Sequence, residues 1–243
     1  MRGRWIAAAA GALLVAAAAA TGFAIREDTR PAGPRPASER PELLLLTSLP
    51  IVFPDKGFSL DFPTSLALKA LQGRYRVRPI SLADKASLGG SRLLMMAQPR
   101  AQPAEVLVEI DAWVRSGGRV LLLADPMLEW PSRRPLGDAL RPPLAFADTG
   151  LLGHWGLRLD SPETPGTAAY EVAGAKVQAR SPGILVATGK QCRVDDGGLV
   201  ARCRIGRGEA TVIADADLLD PGRSGGGQAN LAAVLRELER LEP

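Results

Sequence analysis

The chain has 243 residues, of which 46% are hydrophobic and 23% charged, a balance typical of a globular protein rather than a disordered one. Its formal net charge of +4 is concentrated at the N-terminus, because residues 1–41 contain six arginines and three acidic residues. The remaining 202 residues carry a net charge of only +1. A nucleic-acid-binding domain is expected to have a basic face, so the sequence predicts no nucleic-acid partner.

The N-terminus consists of a short cationic stretch, Met1–Arg4, followed by 21 uncharged residues, Trp5–Ile25. As a helix these residues would span about 31 Å, close to the thickness of a hydrocarbon core. We therefore expect segment 1–25 to be a signal anchor; the alternative is a cleaved signal peptide, since Ala18–Ala20 offers a cleavage pattern. The basic residues predict a single-pass inner-membrane protein with its domain in the periplasm, or a secreted protein if cleavage occurs.

The next segment, 26–41, is rich in proline and arginine. Such a composition cannot bury much apolar surface and favours an extended chain. We expect a linker that separates the membrane from a single domain over residues 42–243.

The predicted elements of this domain alternate between strands and helices. In chain order they are a buried strand at 43–46, a helix from Pro63 carrying Leu66, Leu68 and Leu71, strands at 75–80 and 92–97, a helix between Pro103 and Gly117, a strand at 120–124, a surface excursion at 126–147, a short helix within 148–155, antiparallel strands within 170–207, a strand at 211–214 and a helix at 230–241.

The clearest unit extends from residue 92 to residue 124. Two continuous apolar runs flank a helix whose Val106, Ile110 and Val114 fall on one face, which predicts a βαβ crossover and parallel strands. The predicted fold class is therefore α/β, with an open, mostly parallel sheet, flanking helices and a late antiparallel hairpin region.

Cys192 and Cys203 are the only cysteines, and His154 is the only histidine and is distant from them in sequence. This spacing does not indicate a zinc site. If Gly197–Gly198 form a two-residue hairpin turn, counting outward places Cys192 opposite Cys203, within reach of a disulfide. The alternative is two free thiols. Export to an oxidising compartment makes this alternative less favourable.

Three aspartates follow predicted buried strands. Asp125 and Asp215 come directly after them, and Asp217 lies two residues further on. Ligands of open α/β sheets bind at the carboxyl ends of the strands, where Ser48 of the first strand could join them. Ser48, Asp125, Asp215 and Asp217 are therefore the candidate ligand-binding residues, and no catalytic residue, cofactor or metal is predicted. The alternative is that the aspartates cap turns and bond backbone amides.

Two further features were considered as sites. The glycine-rich segment 222–227 precedes a helix and could bind an anion, but it lacks the lysine of a P-loop, so a flexible loop is the favoured interpretation. His154 could act as a general base, but no nucleophile accompanies it, and we interpret it as a packing residue on a short helix.

Four stretches, Arg92–Arg100, Ser116–Pro126, Leu152–Leu159 and Gly206–Asp217, together resemble the extracytoplasmic domain of auxiliary components of gliding-motility-type ABC transport systems and related bacterial envelope proteins. The resemblance implies a fold similar to class I glutamine amidotransferases, and thus flavodoxin-like, without their catalytic residues. It also implies an ABC permease or an ATPase-containing complex as the partner. In agreement, the strand that should precede an amidotransferase nucleophile ends in Met96–Pro99, without a cysteine.

The leading hypothesis is a membrane-tethered, non-enzymatic binding or assembly module of the bacterial envelope. The alternative is an envelope hydrolase or carbohydrate-acting enzyme that uses the carboxylates at the strand edge. The two hypotheses differ in whether Asp125, Asp215 and Asp217 face an open cleft or are consumed by hydrogen bonds to the backbone.

Overall fold

A computed structural model describes residues 33–53, 64–223 and 226–243. Its helices are α1 (Leu66–Arg74), α2 (Lys85–Leu88), α3 (Ala104–Arg115), α4 (Leu151–His154) and α5 (Gly227–Arg240). Its strands are β1 (Glu42–Thr47), β2 (Arg76–Ile80), β3 (Leu93–Ala97), β4 (Arg119–Leu123), β5 (Leu157–Asp160), β6 (Thr167–Val172), β7 (Ala175–Arg180), β8 (Ile184–Ala187), β9 (Cys192–Asp195), β10 (Val200–Ile205) and β11 (Gly208–Ile213). The predicted membrane segment 1–25 lies outside the described residues, and within them no helix has both the length and the apolar character needed to span a bilayer.

Seven strands form one sheet in the order β2-β1-β3-β4-β11-β10-β9. The first five are parallel, and β10 and β9 continue the sheet in antiparallel pairing. Two small antiparallel pairs, β5 with β8 and β6 with β7, complete the strands. This confirms the predicted α/β class with a mostly parallel sheet and a late antiparallel region. The parallel order is that of a flavodoxin-like fold, whose topological switch point lies between β1 and β3.

The central strands form the middle of the core. Leu43–Leu46, Leu93–Ala97 and Val120–Leu123 are all buried, at most 4% exposed, with no alternation between an inner and an outer face. Continuous burial is expected of parallel strands that are covered on both sides. Each fully buried leucine contributes roughly 1.5–3 kcal/mol relative to an exposed one, so these runs are a major source of stability.

The βαβ crossover predicted from the sequence is present as β3, α3 and β4. Val106, Ile110 and Val114 of α3 are buried as the helical pattern indicates. The end of α3 lies so close to β11 that a Cβ atom on Gly208 would be 2.1 Å from the carbonyl oxygen of Val114. Glycine is therefore required where this strand passes beneath the helix.

The start of α1 differs from the prediction. Pro63 lies outside the described residues, and the helix begins at Leu66 after Ser65, whose hydroxyl accepts a hydrogen bond from the amide of Leu68 at 3.0 Å. A serine in this role satisfies one of the free amides of the first helical turn. Leu68 and Leu71 are buried as expected, whereas Leu66 is half exposed.

Part of the predicted 26–41 linker is attached to the domain. The Arg35 guanidinium forms a bidentate ion pair with Glu242, with N–O distances of 2.8 and 2.9 Å, and lies 5.7 Å from the centre of the Tyr75 ring. Composition alone does not reveal this contact, because Glu242 is distant from Arg35 in sequence. The rest of the linker lies outside the described residues.

The predicted cysteine pairing is confirmed. Cys192 on β9 is directly opposite Cys203 on β10, and a disulfide joins them. Gly197–Gly198 occupy the turn with positive φ angles, as their sequence position predicts. The turn is longer than the predicted two residues, since the first pair of the ladder is Asp195 with Val200.

Replacing both cysteines by serine should lower the free energy of unfolding by about 2–3 kcal/mol, because the disulfide closes a short loop in the unfolded chain. The two cysteines are 11 positions apart. Equilibrium urea unfolding of the oxidised wild type, the reduced wild type and the double variant measures the effect. Equal unfolding free energies for the oxidised and reduced wild type would contradict this prediction.

Candidate functional site

Three of the four candidate residues meet at the carboxyl edge of the sheet. β4 and β11 are parallel neighbours, so Asp125 and Asp215, which follow them, lie side by side. Asp217 joins them at the start of a short 3₁₀ turn, and one carboxylate oxygen of each residue lies within 4.8 Å of the others. All three side chains are buried, being 0%, 0% and 3% exposed for Asp125, Asp215 and Asp217. We call these residues the aspartate cluster.

Main-chain amides hold the aspartate cluster in place. Asp125 Oδ1 accepts from Met127 N at 2.8 Å, Asp125 Oδ2 from Ala216 N at 3.0 Å, Asp215 Oδ2 from Arg180 N at 2.7 Å, and Asp217 Oδ2 from Glu129 N at 2.9 Å. The cluster thus tethers the start of the 126–147 excursion and the end of β7 to the sheet. These bonds are the backbone-capping contacts that the alternative interpretation of the sequence predicted.

One oxygen of the aspartate cluster is left over. Asp215 Oδ1 is buried and has no hydrogen-bond partner among the described residues. Buried carboxylate oxygens almost always accept a hydrogen bond or bind a metal, because their desolvation is otherwise uncompensated. This atom therefore distinguishes the cluster from a set of ordinary turn caps.

Burial shifts the protonation of the aspartate cluster. It raises the pKa of Asp125 to about 7 and that of Asp217 to about 6, against the opposing effect of the amides that bond them. Burial, followed by the neighbouring charge of Asp125, raises the pKa of Asp215 well above its usual range. Three carboxylates packed together disfavour one another's ionisation, so the cluster retains protons near neutral pH when nothing else neutralises it.

Gln98 is a site residue that the sequence reasoning missed. It is fully buried with a φ of 43°, and its side chain bonds both backbone atoms of Asp125: Oε1 accepts from the amide at 2.9 Å, and Nε2 donates to the carbonyl at 3.0 Å. Nε2 also donates to the carbonyl of Pro143 at 3.2 Å. The available signal in the sequence was a polar residue between a buried strand and a proline.

Ser48 is not part of the aspartate cluster. Its hydroxyl donates to the main-chain carbonyl of Gln98, and it lines a separate cavity of about 180 Å³ at the switch point between β1 and β3. We call this the switch-point cavity; its described lining residues are Thr47, Ser48, Leu49, Pro50, Phe53, Arg100, Arg134 and Leu140. None of them is acidic, and Phe53 and Leu140 are 77% and 65% exposed.

Two other sequence hypotheses have different outcomes. The interpretation of His154 as a packing residue was wrong: it lies on the short helix α4, but its side chain is 61% exposed, with Nε2 3.3 Å from Asp111 Oδ2. A four-residue helix buries only one side, and Leu151 and Leu152 occupy it. The anion-binding alternative for 222–227 stays a prediction, since residues 224–225 lie outside the described part of the chain.

No protein-family model and no curated protein matches the chain. Among solved structures, it is similar to the N-terminal domain of mmIFT52, at 13% identity and a TM-score of 0.51 over 82% of this chain and 96% of that domain. It is also similar to a cytoplasmic protein from Salmonella typhimurium LT2, at 11% identity and a TM-score of 0.50 over 83% of this chain and 100% of that protein. A third match is the exo-beta-1,4-mannosidase Op5Man5 from Opitutaceae bacterium strain TAV5, at 13% identity and a TM-score of 0.49 over 83% of this chain.

The chain spans about a third, 36%, of the length of that mannosidase. At these identities the first two similarities show the fold alone, which is the flavodoxin-like arrangement already evident from the strand order.

Proposed function

We propose that this chain is a membrane-tethered, non-enzymatic binding or assembly module of the bacterial envelope. The main support is the burial of the carboxylates at the strand edge, where ligands of such sheets usually bind. An enzyme that used them would need at least one carboxylate within reach of its substrate. Asp125, Asp215 and Asp217 are at most 3% exposed and accept hydrogen bonds from the backbone, so their geometry fits a structural role.

The position of a potential nucleophile gives further support. The residue after β3 is Gln98, whose side chain is consumed by the three bonds that organise the strand edge. Both cysteines of the chain are joined in the β9–β10 disulfide, so neither offers a thiolate. The amidotransferase-like fold therefore lacks the group on which amidotransferase chemistry depends.

The disulfide and the N-terminal segment support the envelope location. Disulfides persist in oxidising compartments such as the periplasm, and segment 1–25 has the length and flanking charge of an anchor. We expect a phosphatase reporter fused after Pro243 to be active in cells and the fusion to sediment with membranes. A matched fusion lacking residues 1–25 should lose both properties. Activity of a cytoplasm-restricted reporter at the same position would contradict the proposal.

The switch-point cavity is the binding surface that we assign to the module. Arg100 is exposed, Arg134 lies beside it with an ion-pair contact to Asp138 at 3.5 Å, and the exposed Phe53 and Leu140 add apolar area. Arginine and aromatic residues at the centre of an interface often dominate its affinity. By charge complementarity, the cavity suits an acidic segment of an ABC permease or ATPase-containing complex.

Charge reversal tests this assignment. After crosslinking in the native host, Arg100→Glu should reduce co-purification of ABC permease or ATPase subunits about tenfold. The substitution replaces one favourable charge contact with the partner by a repulsive one. Arg193→Glu is the matched control, because Arg193 is an 80% exposed arginine on β9, the edge strand at the far end of the sheet. Equal recovery with both variants, or no such subunit with the wild type, would contradict the assignment.

A further inference from the structure

The aspartate cluster has little compensating positive charge: the charge of Arg180 favours the ionised form of Asp217, but no ion pair joins the two residues. Arg180 donates its main-chain amide to Asp215, but its guanidinium is directed to Glu129, with an N–O distance of 3.8 Å. Within the described part of the chain, no lysine or arginine forms an ion pair with Asp125, Asp215 or Asp217. Buried carboxylates are normally paired with a cation of the protein or bind a metal. The charge balance of this site is thus incomplete.

The unpartnered Asp215 Oδ1 points independently to a missing ligand. The residue is 0% exposed, so water does not satisfy this oxygen from the surface. Both oxygens of Asp125, Oδ2 of Asp215 and Oδ2 of Asp217 accept hydrogen bonds from main-chain amides, whereas Asp215 Oδ1 remains available to bind a cation. A cation would satisfy it and would neutralise its two neighbours at the same time.

We propose that Asp125, Asp215 and Asp217 bind a calcium ion. Two oxygens that bind one Ca²⁺ at the usual distance of about 2.4 Å lie at most about 4.8 Å apart. The three residues each offer an oxygen that is within 4.8 Å of the others. A set of three carboxylates with no histidine or thiolate favours a hard cation over zinc. Calcium tolerates irregular sets of carboxylate and carbonyl oxygens, whereas Mg²⁺ requires near-octahedral geometry and usually binds only one or two carboxylates.

The amides around the cluster would orient the ligands. Met127 N and Ala216 N fix the Asp125 carboxylate, and Glu129 N fixes that of Asp217. Such outer contacts hold metal-binding carboxylates in position and set the affinity of the site. Met127 and Glu129 belong to the 126–147 excursion, so the ion would fasten this long segment to the sheet edge. Because the cluster is closed, the ion would enter during folding, when ligand binding and folding are coupled.

No short metal-binding motif marks this site in the sequence. Asp125 is 90 positions away from Asp215, and the short motifs of calcium loops place their ligands within a dozen residues. Only the parallel pairing of β4 with β11 brings the two aspartates together.

Refolding the full chain with and without calcium tests the proposal. The purified protein is unfolded with a chelator and refolded in Ca²⁺, in Mg²⁺ or in chelator, after which bound metal and Tm are measured. We expect one Ca²⁺ per chain and a Tm that is about 5–10 °C higher at a calcium concentration 100 times the Kd. No bound calcium in the folded wild type, or a larger Tm shift with Mg²⁺ than with Ca²⁺, would overturn the proposal.

Two matched variants assign the ion to the cluster. Asp215→Asn should lose the bound calcium and most of the Tm shift, because it removes the charge and the free oxygen. Asp160→Asn should keep both, since Asp160 is an exposed carboxylate that pairs with Arg158. An unchanged calcium response in Asp215→Asn would refute the site. If that variant does not fold, the metal content of the refolded wild type decides alone.

Discussion

In metal-free buffer at pH 8, Asp215→Asn should be more stable than the wild type by about 2–4 kcal/mol, and the gain should shrink towards zero near pH 4. The pKa of Asp125 is raised by burial to about 7. Between its unfolded value near 4 and this folded value, the native state binds more protons than the unfolded chain. The contribution of Asp125 to wild-type stability should therefore be complete below about pH 4 and should be lost as the pH rises through 7.

The choice of Asp215 follows from its hydrogen bonds. An asparagine there can keep the bond from Arg180 N with its amide oxygen, and its NH₂ group takes the place of the unpartnered Oδ1. Removing this charge should also lower the pKa of Asp125, so the decline of stability with pH should be shallower. Chemical unfolding in EDTA from pH 4 to pH 8 measures both effects.

Asp160→Asn is the control for the pH series. This exposed carboxylate already has a lowered pKa from its ion pair with Arg158, so removing it should leave the decline above pH 4 in place. A wild-type stability that is constant or rises over this pH range in EDTA would contradict our description of the aspartate cluster.

Gln98→Ala should lower the free energy of unfolding by about 3–5 kcal/mol, because it removes three hydrogen bonds, leaves one amide and one carbonyl without a partner, and opens a cavity; the Asp125 carbonyl keeps its bond from the Phe146 amide. The atoms affected are the amide and carbonyl of Asp125 and the carbonyl of Pro143. The loss is measured by urea unfolding at pH 5. This pH lies below the raised pKa values of Asp125 and Asp217, so the charge of the aspartate cluster contributes little to the result. Since Gln98 connects β3, β4 and the excursion, the unfolding transition should also broaden if the excursion detaches first.

Gln102→Ala provides the comparison for Gln98. Gln102 is close in sequence, only partly buried, and its Nε2 donates to the carbonyl of Arg100. Its loss should cost less than about 1 kcal/mol, as is usual for a surface side chain. Equal losses for the two glutamines would show that the Gln98 bonds do not stabilise the strand edge.

Much of the fold was predictable because its signals are local. The apolar runs at 43–46, 92–97 and 120–124 are short and continuous, as is typical of strands buried on both faces, and the helical spacing between the last two defines the crossover. The pairing of Cys192 with Cys203 followed from counting outward from a turn. The contacts of Arg35 were not predictable, because they depend on Glu242, which the chain places nearby only after folding.

The candidate site was predictable only in part. Parallel strands end at the same edge of a sheet, so Asp125 and Asp215 could be assigned to that edge from the sequence, and the structure places them side by side there. Their burial does not follow, because it depends on how the 126–147 excursion covers the edge. The sequence also did not show that Ser48 lies away from the aspartates, because the distance between strand ends depends on the strand order.

The measurement that tests the central claim most directly is hydrolysis by the purified full chain. A panel of glycoside and amide substrates is assayed with the wild type and with Asp125→Asn, whose folded state is verified by circular dichroism. Because the aspartate cluster is buried and bound to the backbone, we expect neither protein to exceed the uncatalysed rate on any substrate. Turnover by the wild type that disappears in folded Asp125→Asn would contradict the non-enzymatic account and establish the carbohydrate-acting or hydrolytic alternative.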